Sequence, residues 1–119
     1  MIPHLEYLRI ARTLLINLLE KDIIKDELNE SLSQLKIMLK SSTTIYIRYN
    51  EYGEYGYQTI HSHKKNDFSR FDNFDDRWEV ETRPHHLHIR GKNEVVESGM
   101  NGNPKENIPL LVEYIKKFS

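Results

Sequence analysis

A chain of 119 residues is long enough for one domain with a real core and too short for two. With 38% hydrophobic and 29% charged residues it reads as globular, and a net charge of −1 supplies no overall field toward nucleic acid or membrane, so any contact with RNA must rest on a local basic patch. The lack of cysteine excludes disulfides and thiolate metal sites, no stretch approaches the ~20 apolar residues of a membrane span, and "MIPHLEYLRI" has no secretion-signal pattern, so a cytoplasmic location is expected.

The first forty residues read as helix. Leu5, Leu8, Leu15 and Leu19 recur at helical spacings, and Pro3 suits a first turn. A second stripe, Ile24, Leu28, Leu32, Leu35 and Leu39, predicts a further helix capped by Asp22, or one long bent helix. That seam would pack on the domain's own sheet, or serve a partner or a homodimer.

After "KSS" the period changes to alternation. "TTIYIRYN" (43–50) predicts a strand, "EYGEYG" a turn, "YGYQTIHSH" a second strand, "KKND" a turn, and "DFSRFDNF" a returning strand. "RWEVET" is a further strand candidate that stops before Pro84, and "HHLHIR" and "NEVVES" predict two more joined at Gly91. "GMNGNPKEN" reads as a loop, and a C-terminal amphipathic helix (105–118) turns Ile108, Leu111, Val112 and Ile115 inward. The expectation is a single α+β domain (1–119): an N-terminal helical pair (1–40), a mainly antiparallel sheet of five to six strands (43–98) and the C-terminal helix packed on it.

The chemistry concentrates in "RFDNFDDRWEVETRPHHLH" (70–88), which holds three of the six histidines and the only tryptophan. On a strand, alternate side chains share a face, ~7 Å apart. Arg70 pairs with Asp72 in this sense, His86 with His88, and His61 with His63. If two such pairs met on neighbouring strands, they would assemble bases, an acid and a guanidinium, the mixture that metal-free RNA cleavage needs. In that reading Arg70 steadies the phosphate, His88 and His86 are the general base and acid, Asp72 orients a histidine, and His85 or His61 could replace either.

Plainer readings stand beside it. The histidines could be solvated residues at a sheet edge, or bind a divalent metal with Asp72. Arg70 and Asp72 could be a simple ion pair, Asn73 a turn cap, and Trp78 a core residue or a stacking platform. Tyr46, Tyr49, Tyr52, Tyr55 and Tyr57 are strand-face fillers or base-stacking groups. Lys64 and Lys65 sit in a hairpin tip, as phosphate contacts or as charges on an exposed turn. Asp75 and Asp76 belong to a solvated loop or a contact with a basic partner. His61, Lys64, Tyr57 and Asn73 form the substrate-contact set.

The order "YGYQTIHS", then "RFDN" after a lysine-bearing turn, then "RPHHLHIRG" and "VVES" resembles the TumE family of prokaryotic toxins. Arg70, Phe71, Asp72 and Asn73 supply its first element, and Pro84, His85, His86 and His88 the second. The resemblance runs from Tyr46 to Ser98 and, weakly, into the final helix, with the first forty residues outside the motif. It implies a small toxin neutralised by a helix-turn-helix antitoxin. Analogy with toxins of this size adds an endoribonuclease activity that uses no cofactor. A non-catalytic interaction module working through the N-terminal helices, and a metal-dependent nuclease or phosphoesterase using Asp72, His86 and His88, are the rivals.

Overall fold

Helix α1 (Pro3–Leu19) begins on a proline, as the sequence predicts, and buries Leu8, Ala11, Leu15 and Leu19 along one stripe. The structure, a computed structural model, describes residues 3–118. A single turn of 3₁₀ helix (Glu20–Asp22) follows, and the chain then runs through seven consecutive antiparallel strands before closing with α2. The strands are β1 (Ile23–Asn29), β2 (Gln34–Leu39), β3 (Thr44–Tyr49), β4 (Tyr55–Ile60), β5 (Phe68–Asp72), β6 (His86–His88) and β7 (Val95–Glu97), and α2 is Pro104–Lys116. All seven lie in one sheet in chain order, a pure meander with each strand paired to the next.

The architecture is α+β with an antiparallel sheet, but the N-terminal helical pair is a single helix and the strands number seven. Residues 23–39 form a β-hairpin. Leu35, Ile37 and Leu39 are buried at a period of two, whereas Ile24 and Leu32 of the expected helical seam are exposed. The turn is built by Asn29, whose Oδ1 accepts from the Leu32 amide at 3.0 Å, and by Ser33 at φ 50°. Ion pairs from α1 to the hairpin, Arg9–Glu30 at 2.9 Å and Arg12–Asp26 at 2.6 Å, fasten it to the helix. No helical seam therefore exists in residues 23–39 to support self-association.

"RWEVET" is also not a strand. Residues 73–85 are a loop of short turns, with Val80 N–H bonded to Trp78 O, Arg83 N–H to Val80 O and His85 N–H to Thr82 O. Arg83 donates across it to Asp76 at 2.9 Å. The last helix starts earlier than expected because Asn103 caps it, its side chain accepting from Lys105 N–H, with Pro104 in the first turn. Ile108, Leu111, Val112 and Ile115 are buried as the periodicity predicts.

Both helices cover the same face of the sheet. Alternation along the strands sends Ile45, Ile47, Tyr49, Tyr55, Tyr57 and Phe71 into that core, and the intervening residues to the other face. Asn107 is the polar pin of the core: its Oδ1 accepts from Asn101 N–H at 3.0 Å, Gly102 N–H at 2.7 Å and Tyr57 O–H at 3.2 Å. Gly102 has φ 92°, and a Cβ there would lie 3.0 Å from the Tyr55 ring. No helix of the described residues is long and apolar enough to cross a membrane.

Candidate functional site

The face of the sheet opposite the helices carries the chemistry. Strand pairing sets Arg70 on β5 directly across from His88 on β6, and Asp72 across from His86. In an antiparallel pair, opposed residues project on the same side with Cβ atoms about 5 Å apart, so two dipeptide-spaced pairs become one four-residue cluster. The register does here what neither segment could do alone.

Asp72 is the hub. Its side chain is 3% exposed; Oδ2 accepts from Arg70 Nε at 2.6 Å and Oδ1 lies 2.8 Å from His86 Nε2. Oδ1 also accepts from the Phe74 amide at 3.1 Å, which ties the carboxylate to the start of the following loop. His86 is 1% exposed. Its Nδ1 lies 2.8 Å from the Pro84 carbonyl, which can only accept, so Nδ1 carries a proton. Its Nε2, although close to Asp72 Oδ1, is off the line of a well-aligned hydrogen bond and is a buried nitrogen with no satisfied partner.

His88 is more open, with a side chain 18% exposed. Its Nε2 sits 3.3 Å from an Arg70 terminal nitrogen and 3.5 Å from Asp72 Oδ2. A guanidinium has only donors, so the Arg70 contact makes Nε2 the acceptor and the imidazole neutral. The electrostatics agree: burial first, and then the Arg70 cation, lower the His88 pKa from its ordinary value, outweighing the pull of Asp72 in the other direction. In this arrangement the His88 Nε2 lone pair is engaged by Arg70 and becomes available when the guanidinium moves off it.

Trp78, on the 73–85 loop, stands over both histidines, its ring centroid 5.9 Å from that of His86 and 5.6 Å from that of His88. Arg77 lies over the Trp78 ring at 4.6 Å. With Phe74 these residues wall a cleft of about 610 Å³ whose floor runs from the four-residue cluster across to Tyr46 and Arg48 of β3.

Other predicted residues lie elsewhere. Tyr57 is fully buried on the helix face, its hydroxyl 2.5 Å from that of Tyr49. His61 faces the same side, 2.9 Å from Ser69 Oγ and against Phe118. His85 precedes β6 by one residue and so turns away from His86, placing Nδ1 2.9 Å from Tyr55 O–H. Asn73 bridges loops: it accepts from Tyr55 N–H at 2.9 Å and donates to the Gly53 carbonyl. Lys64 lies in the exposed β4–β5 turn, outside the residues lining the cleft. Tyr57 and His61 have the strand parity that points to the helices, His85 and Asn73 lie just outside the strands, and Lys64 occupies the hairpin tip that the sequence predicts. The sequence reading did not single out Arg48 and Gln58, although both are polar positions of alternating strands that the period-two pattern exposes.

A second cavity, of about 570 Å³, opens on the helix face beside Tyr7, Tyr49 and Tyr55. Its charged lining includes Glu51 and Glu106 but no lysine or arginine, which makes it a poor place for a phosphate.

The fold and the site together define a small α+β protein with a histidine–arginine–carboxylate cluster on the uncovered face of a meander sheet. The chain belongs to the TumE family: the family model described as "Toxin TumE" matches residues 11–118. It is therefore a toxin of a toxin–antitoxin system, with a cognate antitoxin as its partner. The match begins within α1, so most of that helix and the β1–β2 hairpin belong to the family span along with the histidine motif. No curated protein and no solved structure matches the chain.

Proposed function

We propose that this toxin is a metal-independent endoribonuclease and that the Arg70–Asp72–His86–His88 cluster is its active site. The observation that carries the reading is the partly exposed His88 imidazole held 3.3 Å from an Arg70 nitrogen, a cation that together with burial lowers its pKa and favours the neutral form. His88 Nε2 removes the proton of a ribose 2′-hydroxyl. The 2′-oxygen attacks the adjacent phosphorus, the bond to the 5′-oxygen breaks, and the leaving oxygen takes a proton from water in the open cleft. The products are a 2′,3′-cyclic phosphate and a free 5′-hydroxyl. Arg70, tethered by Asp72, shifts as a rigid fork off His88 when the phosphate enters, and its terminal nitrogens offset the charge that develops there.

His86 and Asp72 are too buried to touch RNA. They are positioning residues: Asp72 fixes Arg70, and His86, held by the Pro84 carbonyl, packs beneath Asp72. The expected acid role of His86 passes to solvent on this account. The helix-turn-helix character of the antitoxin stays part of the same proposal, as does cytoplasmic action.

The test is His88→Ala assayed on RNA and in growth inhibition. Loss of both with an unchanged melting temperature supports the reading. A His86→Ala/His88→Ala double variant that still cleaves would overturn it.

A second reading has one observation in its favour. Donor atoms of Asp72, His86 and His88 lie within 4.8 Å of one another, and His86 Nε2 lacks an aligned partner, a set that could converge on a divalent ion. Against it, the Arg70 guanidinium already contacts Asp72 Oδ2 and His88 Nε2, two atoms the ion would need.

A further inference from the structure

The strand register extends the active site into a row. Lys36 pairs with Tyr46, Tyr46 with Gln58, Gln58 with Arg70, and Arg70 with His88. These five side chains share one face of the sheet and follow one another across β2 to β6. At about 4.8 Å per strand the row runs for about 19 Å, perpendicular to the strands. A parallel row one step along carries Gln34, Arg48, Gly56, Asp72 and His86. All of the two rows except Lys36, which lies just past the β2 end, line the floor of the same cleft, which Phe74 and Trp78 wall at the β5–β6 end.

We propose that this floor is a track for single-stranded RNA, with a base stacked on Tyr46 and the backbone guided by Lys36 and Arg48 toward Arg70 and His88. The proposal rests on the ribonuclease reading and names its substrate class. Three features carry it.

The first is charge. Lys36, Arg48, Arg70 and Arg77 all face this side; of the acids that share it, Asp72 and Asp75 are engaged by Arg70 and Arg77, Glu27 beside Lys36 is engaged by Lys25, and Glu97 lies outside the cleft on β7. Among the described residues Lys36 and Arg48 make no ion pair; Arg48 Nε donates instead to the neutral Gln34 at 2.9 Å, which holds the guanidinium in place without cancelling it. A chain with net charge −1 thus keeps a local cationic strip where a phosphate backbone would run.

The second is the aromatic. Tyr46 is half-buried in the sheet surface with the Lys36 ammonium over its ring, 5.8 Å from the centre, a loose contact that an incoming base would displace toward its own phosphate. A base inside a duplex is stacked on its neighbours and cannot reach a ring set in a sheet, whereas an unpaired base can.

The third is relief. Gly56 lies between Arg48 and Asp72 in its row and contributes no side chain to the floor. A Cβ there would make only an ordinary contact with Phe74, at 3.6 Å, so the low step between the guiding cations and the hub carboxylate comes from the absent side chain and not from crowding.

The experiment uses the full chain carrying His88→Ala, so that RNA is bound and not consumed, and a fluorescein-labelled oligoribonucleotide free or annealed to its complement. Anisotropy should give tighter binding of the single strand, a fall of about tenfold for Tyr46→Ala, and near-parental affinity for Tyr46→Phe, which keeps the ring. Arg48→Ala should lower the slope of log affinity against log salt by about 0.7, the loss of one phosphate contact to a single strand. Equal binding of duplex and single strand, or Tyr46→Ala and Arg48→Ala binding like the parent with unchanged melting temperatures, overturns the track. The two levels of the argument separate in the protein with His88 intact. Tight Tyr46-dependent binding without cleavage sinks the nuclease reading and leaves the track; cleavage indifferent to Tyr46 and Arg48 does the reverse.

Discussion

Arg70 and His88 face each other across β5 and β6, an arginine nitrogen 3.3 Å from the imidazole Nε2. Burial and this cation both hold the His88 pKa below its ordinary value, so the neutral form persists to lower pH than in a free histidine. A base must be neutral to accept a proton, and the acid limb of the pH–rate profile should therefore fall below the usual histidine range, about pH 6.5. Arg70→Met removes the cation while keeping the aliphatic stem. The acid limb should then move to higher pH, because the cationic imidazolium is no longer opposed, and kcat should drop on the order of a hundredfold through loss of phosphate stabilisation. An acid limb that stays in place would mean that His88 is not the group being titrated.

Asp72 offers a separate handle because it acts through its neighbours. Asp72→Asn preserves the shape and leaves an oxygen able to accept from Arg70, but it removes the charge that holds the guanidinium. Cleavage should fall on the order of a hundredfold with KM changed little, while stability drops by about 1–3 kcal/mol for the weakened buried network. Steady-state kinetics alongside thermal melting give both numbers. A variant with unaltered kcat would remove Asp72 from the positioning scheme.

How much of this was readable beforehand depends on how many neighbours a residue needs to declare its place. Arg70 with Asp72 and His86 with His88 each declare a shared face by period alone, and the sequence raised their meeting as a condition. That condition is met by β5–β6 register, which lies in no local pattern. The 23–39 hairpin resembles a helix in sequence because its leucines recur at spacings of three and four, although Leu35, Ile37 and Leu39 alternate and "NESLS" is a turn. The alternation is the weaker signal because β1, an edge strand, is polar on both sides at its centre: Lys25, Asp26 and Glu27 carry no core pattern, and only Ile23 and Leu28 pack on the core. The β-forming composition of "RWEVET" serves a loop whose tryptophan must stand over the histidines, a case of site geometry overriding propensity. Tyr57 and His61 were displaced for a simpler reason. Their strand parity matches Tyr55 and Thr59, which point to the helices.

Asn107 supplies the control that separates folding from chemistry. It sits on α2, across the sheet from the cleft, and satisfies the Asn101 and Gly102 amides through one buried oxygen. Asn107→Ala leaves those donors without partners and should cost about 2–4 kcal/mol, visible as a fall in melting temperature of about 10 °C. Specific activity per folded molecule should remain that of the parent, since no cleft residue contacts it. A large loss of kcat below the melting transition would show coupling between the helix face and the active site.

The choice between guanidinium and metal can be forced at one residue. As long as Arg70 contacts Asp72 Oδ2 and His88 Nε2, a divalent ion must displace a cation to reach the same atoms. Exhaustive chelation should therefore leave RNA cleavage by the parent protein unchanged, and added zinc should inhibit it by taking the His88 lone pair. Arg70→Met clears the obstruction and leaves Asp72, His86 and His88 as a three-donor set. That variant should bind zinc more tightly than the parent by calorimetry, yet gain no cleavage from it, because the phosphate has lost its steadying cation. Cleavage by the parent that disappears on chelation and returns with added metal would assign the same histidines to coordination and overturn their use as a free base.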